Sequence, residues 1–187
     1  MKDIMIDLET LGTRYNASII QIGACYFDRN TGEIGPRFKT NIKYDPAMGD
    51  KFTVDYGTIA WWFSQEEAAR ASLLEAPVDL ITAIGKLTEF LNIGGEEEEI
   101  VRKDVQIWCH ATFDMPILVN AYSTLDMKFP ISFRNMRDIR TVMDLAKHYS
   151  EAPRVGTHHD ALSDAMFQAK YVSEAMQILR GENVKAL

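Results

Sequence analysis

The sequence predicts an α/β domain: a mixed sheet that opens with three antiparallel strands and is flanked by helices. Three observations carry this. The chain begins with three β-type segments joined by short, turn-rich links. Beyond residue 44 the apolar spacing changes to that of helices. A further short apolar run, residues 104–109, then stands between helical segments. Strands followed by interleaved helices are the pattern of a sheet with helices packed on its faces.

Residues 2–8, with the run Ile4-Met5-Ile6, read as a buried strand. Residues 18–28, "SIIQIGACYFD", alternate in part and read as a second. "DRNTGEIG" supplies the turn formers Asn30, Gly32 and Gly35, and residues 36–43 alternate as a third strand, giving an antiparallel meander. Residues 58–63 and 64–74 read as short helices. Residues 77–91 form a stronger amphipathic one with Pro77 in its first turn. "NIGGEEEE" ends it, and glutamates 96–99 read as a solvated loop facing away from any nucleic acid. Residues 104–109, "DVQIWC", are the fourth strand. Helices follow at 113–122 (with Pro116 in the first turn), 138–149 and 160–179. No repeat or linker divides the chain, so residues 1–187 read as one domain.

Apolar residues make up 47% and charged residues 25% of the 187, which fits a chain with a sizeable core and excludes a disordered one. No apolar run approaches the ~20 residues of a membrane span. The start of the chain has no secretory pattern. A cytoplasmic protein without a membrane partner is expected. Cys25 and Cys109 fall in apolar segments and read as free buried thiols. The net charge of −7 weighs against a nucleic-acid binder. A carboxylate site loaded with divalent cations would reverse that charge locally. Basic residues gather at Lys128, Arg134, Arg137, Arg140, Lys147 and Arg154.

The candidate chemistry starts at "MIDLETLGT". Asp7 and Glu9 are two apart on a strand, so both project to one face. Taken alone, D-x-E is a strand end running into solvent. Here it follows the most hydrophobic part of a strand expected to be central, where α/β folds build sites. Like charges held together favour a cation between them, and carboxylate oxygens suit a hard divalent metal. Asp114, in "WCHATFDMPIL", is either a third ligand or an N-cap. In "GTHHDALSDA", Asp164 opens the last helix. His159, five positions earlier, would point about 140° away on the same helix. The two meet only if His159 lies in the loop before the helix, with Asp160 as N-cap.

In chain order these residues read D-x-E, D, H-x-x-x-x-D. The joint pattern resembles the DEDDh exonucleases, 3′→5′ exonucleases on a ribonuclease H-like fold. The resemblance runs from Asp7 to about Tyr171, and "TIAWWFSQ", "IWCHATFDMPIL" and "RNMRDIRT" look most like the small phage and bacterial members. It implies parallel strands after the antiparallel start. It implies two divalent cations, Mg²⁺ or Mn²⁺, held by Asp7, Glu9, Asp114 and Asp164, with His159 as general base. His158 lacks the family spacing to Asp164. The implied partner is DNA or RNA with a free 3′ end, single-stranded or an overhang, cleaved to nucleoside 5′-monophosphates. Dimerisation is common among the small members, so a homodimer is expected. "CHAT" departs from the family, being shorter than the glycine- and asparagine-containing turn of many relatives.

By the same resemblance Leu8 and Thr10 contact the terminal nucleotide. Trp61 and Trp62 belong to the core, or one of them, with Trp62 the candidate, stacks on a base. Phe113 wedges a terminal base or packs. His110 contacts substrate or fills its turn. Arg137 and Arg140 bind phosphates, or pair with Asp138 or Asp144 to hold their helix. The alternative function is a non-catalytic nucleic-acid-binding or interaction module that kept the fold. The presence of all five motif residues argues against it.

Overall fold

The computed structural model describes residues 1–95, 101–147 and 156–182. Five strands form one sheet in the order β3-β2-β1-β4-β5. β1 (Asp3–Thr10) is central. It pairs antiparallel with β2 (Ile19–Phe27), which pairs antiparallel with β3 (Ile34–Asn41). On its other side β1 pairs parallel with β4 (Gln106–Cys109), and β4 pairs parallel with β5 (Met136–Asp138). The mixed sheet expected from the sequence is therefore present. All residues of β1 and β2 are buried, because helices cover both faces.

β5 is an addition to the sequence reading. It has three half-buried residues, Met-Arg-Asp, and is too short and too polar to show a strand period. The helices are α1 (Tyr56–Phe63), α2 (Glu67–Ser72), α3 (Leu80–Leu91), α4 (Asp114–Thr124), α5 (Ile139–Ala146) and α6 (Ala161–Leu179). The glutamates at 96–99, Arg154 and the end of the helix expected over 138–149 lie outside the described residues.

Strand parity sorts the core. Ile4, Ile6 and Leu8 face α3 and α4, where Ile84, Leu87, Leu91, Ile117 and Leu118 meet them. Met5, Cys25, Phe27 and Trp108 face α5 and α6, against Ile139, Met143, Ala165, Ala169 and Val172. The alanines let α6 lie close to the sheet. Closest is its first turn: a Cβ on Gly23 would stand 2.1 Å from the Ala161 carbonyl carbon. Glycine is required there by the approach of helix backbone to strand. Cys25 and Cys109 are free and buried, as expected. Burial pushes the Cys25 thiol up to about 12. Among the described residues, no helix is long and apolar enough to cross a membrane.

Candidate active site

Asp7 and Glu9 lie at the carboxyl end of β1, on the α6 side of the sheet. Their antiparallel partners are Gly23 and Gln21. The register slips between Glu9 and Thr10, so the strand is irregular where its acids end. The Thr10 hydroxyl then donates to the Gly12 carbonyl at 2.6 Å and closes the turn.

Asp114 begins α4, just beyond the end of β4. It does not serve as the N-cap, a position Phe113 holds without a side-chain bond. Its Oδ2 instead accepts the His110 backbone N–H at 2.8 Å, and the Leu8 backbone N–H also donates to it. The carboxylate thus ties the β1 and β4 ends together.

His159 sits in the loop before α6, as the spacing required, with a left-handed φ of +60°. Histidine tolerates this conformation better than most residues. Asp160 is the N-cap and accepts from the Ser163 N–H. Lys39 of β3 pairs with Asp160 at 2.5 Å, and Gln21 Oε1 accepts the Ala161 N–H at 2.6 Å. Burial alone would raise the Asp160 carboxyl, but the bonds from Lys39 and Ser163 outweigh it and hold it low. These contacts fix the start of α6, and with it His159 and Asp164. The His159 N–H donates to Asp164 Oδ2 at 3.2 Å. His158 is exposed, its ring 3.8 Å from that of His159.

The four acids are between 1% and 8% exposed. Burial raises the Asp7 carboxyl well above its ordinary range, and the charges of Asp114, Glu9 and Asp164 raise it further. Burial pushes Asp114 up to about 7. Glu9, His159 and Asp164 can each turn one ligand atom inward so that all lie within 4.8 Å of one another. A buried set of oxygen donors with one imidazole, too rich in negative charge by itself, fits a hard divalent cation.

A cleft of about 500 Å³ opens beside the acids, lined by Leu8, Glu9, Thr10, Trp61 and Phe113 among others. Leu8, Thr10 and Phe113 thus line the cleft beside the acids. Trp62 does not. It is buried against Ile20 and Ala69, and its indole N–H donates to the Thr10 carbonyl at 2.9 Å. Trp61 is the exposed member of the pair. It lines the cleft and meets the His159 ring edge-on at 4.7 Å.

On the other side of the acids a second cavity, about 550 Å³, is lined by His110, Arg140, Asp144, Gln168 and Tyr171 with apolar neighbours. Burial and Arg140 lower the pKa of His110. The Arg137 guanidinium donates to the Arg134 and Met136 carbonyls. Asp138 caps α5 and accepts the Ala111 N–H. Two residues now stand out: Trp61, set second to Trp62 in the sequence, and Gln168, which no motif marks. Gln168 follows Asp164 by one helical turn, and its amide donates to Asp7 at 2.7 Å.

A family model described as the 3′-5′ exoribonuclease Rv2179c-like domain matches residues 2–176. An exodeoxyribonuclease of Enterobacteria phage T4 is 30% identical over 166 residues, 75% of this chain and 70% of the phage protein. Among solved structures, the nuclease domain of 3′hExo, a DEDDh family member bound to rAMP, superposes with a TM-score of 0.64 at 12% identity, covering 99% of this chain and 95% of that one. S. pombe Pop2p in its Mg²⁺- and Mn²⁺-bound form gives 0.59 at 15% identity, over 98% and 86% of the two chains. E. coli exonuclease I with a dT13 oligonucleotide gives 0.64 at 16%, over 96% and 42%.

The fold is that of the DEDDh neighbour, and the family model defines the class, the 3′-5′ exonucleases. Within that class the chain belongs to the Rv2179c-like 3′-5′ exoribonuclease domain family.

Proposed function

We propose that the chain removes nucleoside 5′-monophosphates one at a time from the 3′ end of single-stranded RNA or DNA, or of a 3′ overhang. It does so with two divalent cations and a histidine base. The observation that carries this is the convergence of Glu9, His159 and Asp164 within 4.8 Å, beside two further buried acids. Asp7, Glu9, Asp114 and Asp164 would hold Mg²⁺ or Mn²⁺. When bound, such ions polarise the scissile phosphate and stabilise charge on the attacking and departing oxygens. The rest is work for the chain's own side chains. The His159 imidazole takes the proton of the attacking water at a ring nitrogen. Trp61, packed against that ring, limits its rotation. Leu8, Thr10, Trp61 and Phe113 receive the terminal nucleoside in the cleft, through stacking and apolar contact.

RNA is named in the family description and DNA in the phage relative's name, so both sugars belong in the test. Single-stranded RNA and DNA labelled at the 5′ end are incubated with Mg²⁺ or Mn²⁺. The expected result is a metal-dependent ladder shortening from the 3′ end, slowed about 10²–10⁴-fold in His159→Ala, the usual contribution of a positioned base. Full activity of His159→Ala, or cleavage in EDTA, overturns the mechanism. The homodimer carried by the resemblance is tested on the same preparation by light scattering.

A further inference from the structure

Gln168 lies outside the five-residue motif, yet it stands on the same face of α6 as Asp164, one turn on. That face is otherwise a stripe of small packing residues, Ala161, Ala165, Ala169 and Val172. Gln168 is 8% exposed. Its Nε2 donates to Asp7 Oδ1 at 2.7 Å across 161 positions of sequence. Its Oε1 is buried and accepts no hydrogen bond among the described residues. A glutamine kept for packing alone would be replaceable by an aliphatic side chain, and one kept for stability alone would have both ends of its amide paired. Instead the amide is turned so that its donor meets the carboxylate while its acceptor goes without a partner among the described residues. The bond engages Asp7 Oδ1 and leaves Oδ2 outside it.

We propose that Gln168 is a positioning residue for the cation site: it fixes the orientation of Asp7 and so raises the affinity for divalent cation without touching the cation. This rests on the cation reading of the acid cluster given above. Groups that hold a metal-ligating carboxylate in place set affinity and are worth 10- to 100-fold when removed.

The test compares the wild type with Gln168→Met, which keeps the length of the side chain and loses the donor, and with Gln168→Leu. Mn²⁺ binding is measured by calorimetry and by the rise in Tm on Mn²⁺ addition. The expected result is a Kd for Mn²⁺ weakened about 10- to 100-fold, with the metal-free Tm little changed. The Mg²⁺ concentration for half-maximal cleavage should rise by the same factor, and kcat should recover at saturating Mg²⁺. Wild-type Mn²⁺ affinity in a folded variant overturns the proposal. So does a drop in metal-free Tm with unchanged metal dependence, or the failure of both variants to fold, since each makes Gln168 merely structural. If the wild type itself binds no Mn²⁺, the cation reading has failed. If the wild type binds and the variants match it, only the role of Gln168 has.

Discussion

Asp3 and Asp7 are the same residue type, on the same strand and the same face, and about equally buried, at 5% and 7% exposure. Roughly 13 Å of strand separates them. Their surroundings are opposite. Asp3 is ringed by donors: Arg29 approaches it through two nitrogens, with Nε at 2.9 Å, and the Trp108 indole N–H bonds it at 2.8 Å. Arg29 also lies over the Trp108 ring, 5.4 Å from its centre. Asp7 is ringed by acids, with Gln168 as its side-chain donor. A buried carboxylate needs a countercharge. The chain supplies its own at one end of β1, and on the proposed function a bound cation supplies it at the other. The Asp3 end therefore contributes stability, whereas the Asp7 end gives up stability in the metal-free protein and provides a reactive site.

The largest effect that would break this contrast is at Asp7. Asp7→Asn removes one charge from the cluster and one cation ligand. Cleavage should fall about 10³-fold or more, the equivalent of several kcal/mol of cation-derived stabilisation. The same substitution should raise the metal-free Tm, by about 2–6 °C for a chain of this size, because it relieves repulsion. A variant that loses both activity and metal-free stability would show that the acids are held by something other than a missing cation.

Asp3→Asn is the mirror experiment. It leaves Arg29 without its anion and weakens the bond to Trp108. Breaking a buried pair costs up to 3–5 kcal/mol. The Arg29 side chain is 27% exposed, so water moderates the loss to about 1–3 kcal/mol. Thermal unfolding should move down by about 3–10 °C. The rate per folded molecule should stay within about twofold, as expected of distant sites. A large drop in rate at full folding would mean that the two ends of β1 are coupled.

The acids were legible because strand and helix periods are strict. D-x-E on a strand can only share a face, and H-x-x-x-x-D can only converge across a helix start. Other features depended on tertiary contacts. α1 reads Tyr-Gly-Thr-Ile-Ala-Trp-Trp-Phe and is apolar nearly all round. Its own pattern does not say which tryptophan turns inward. The bond from Trp62 to the Thr10 carbonyl decides it, across 52 positions. Asp114 resembles an N-cap by position, but its oxygens go to backbone N–H groups of two strand ends that the sequence does not show as neighbours. β5 needs β4 beside it to exist. Gln168 was readable only as the residue four after Asp164, and nothing local says that a glutamine there reaches β1.

A pH dependence separates the two kinds of carboxylate most sharply. Asp7 and Asp114 have folded-state pKa values above the ordinary carboxylate value, Asp114 at about 7. Between roughly pH 4 and pH 7 the folded protein then holds protons that the unfolded chain has released. Stability from this source is present below that window and is lost as pH rises through it. Asp138 and Asp160 behave oppositely. Burial would raise both, but bonds from Thr141 and Ala111 to Asp138, and from Lys39 and Ser163 to Asp160, hold them low. Their stabilisation is present above the ordinary carboxylate pKa and is lost as pH falls through the lower folded value. Metal-free protein should therefore be most stable in mildly acid solution, and its Tm should fall between pH 5 and pH 8. Saturating Mg²⁺ or Mn²⁺ should remove the decline, because binding drives the same protons off the acids. Asp7→Asn should flatten it without metal. A metal-free protein whose stability climbs steadily to pH 8 would mean that the cluster is ionised at little cost, and that its countercharge is already in the chain.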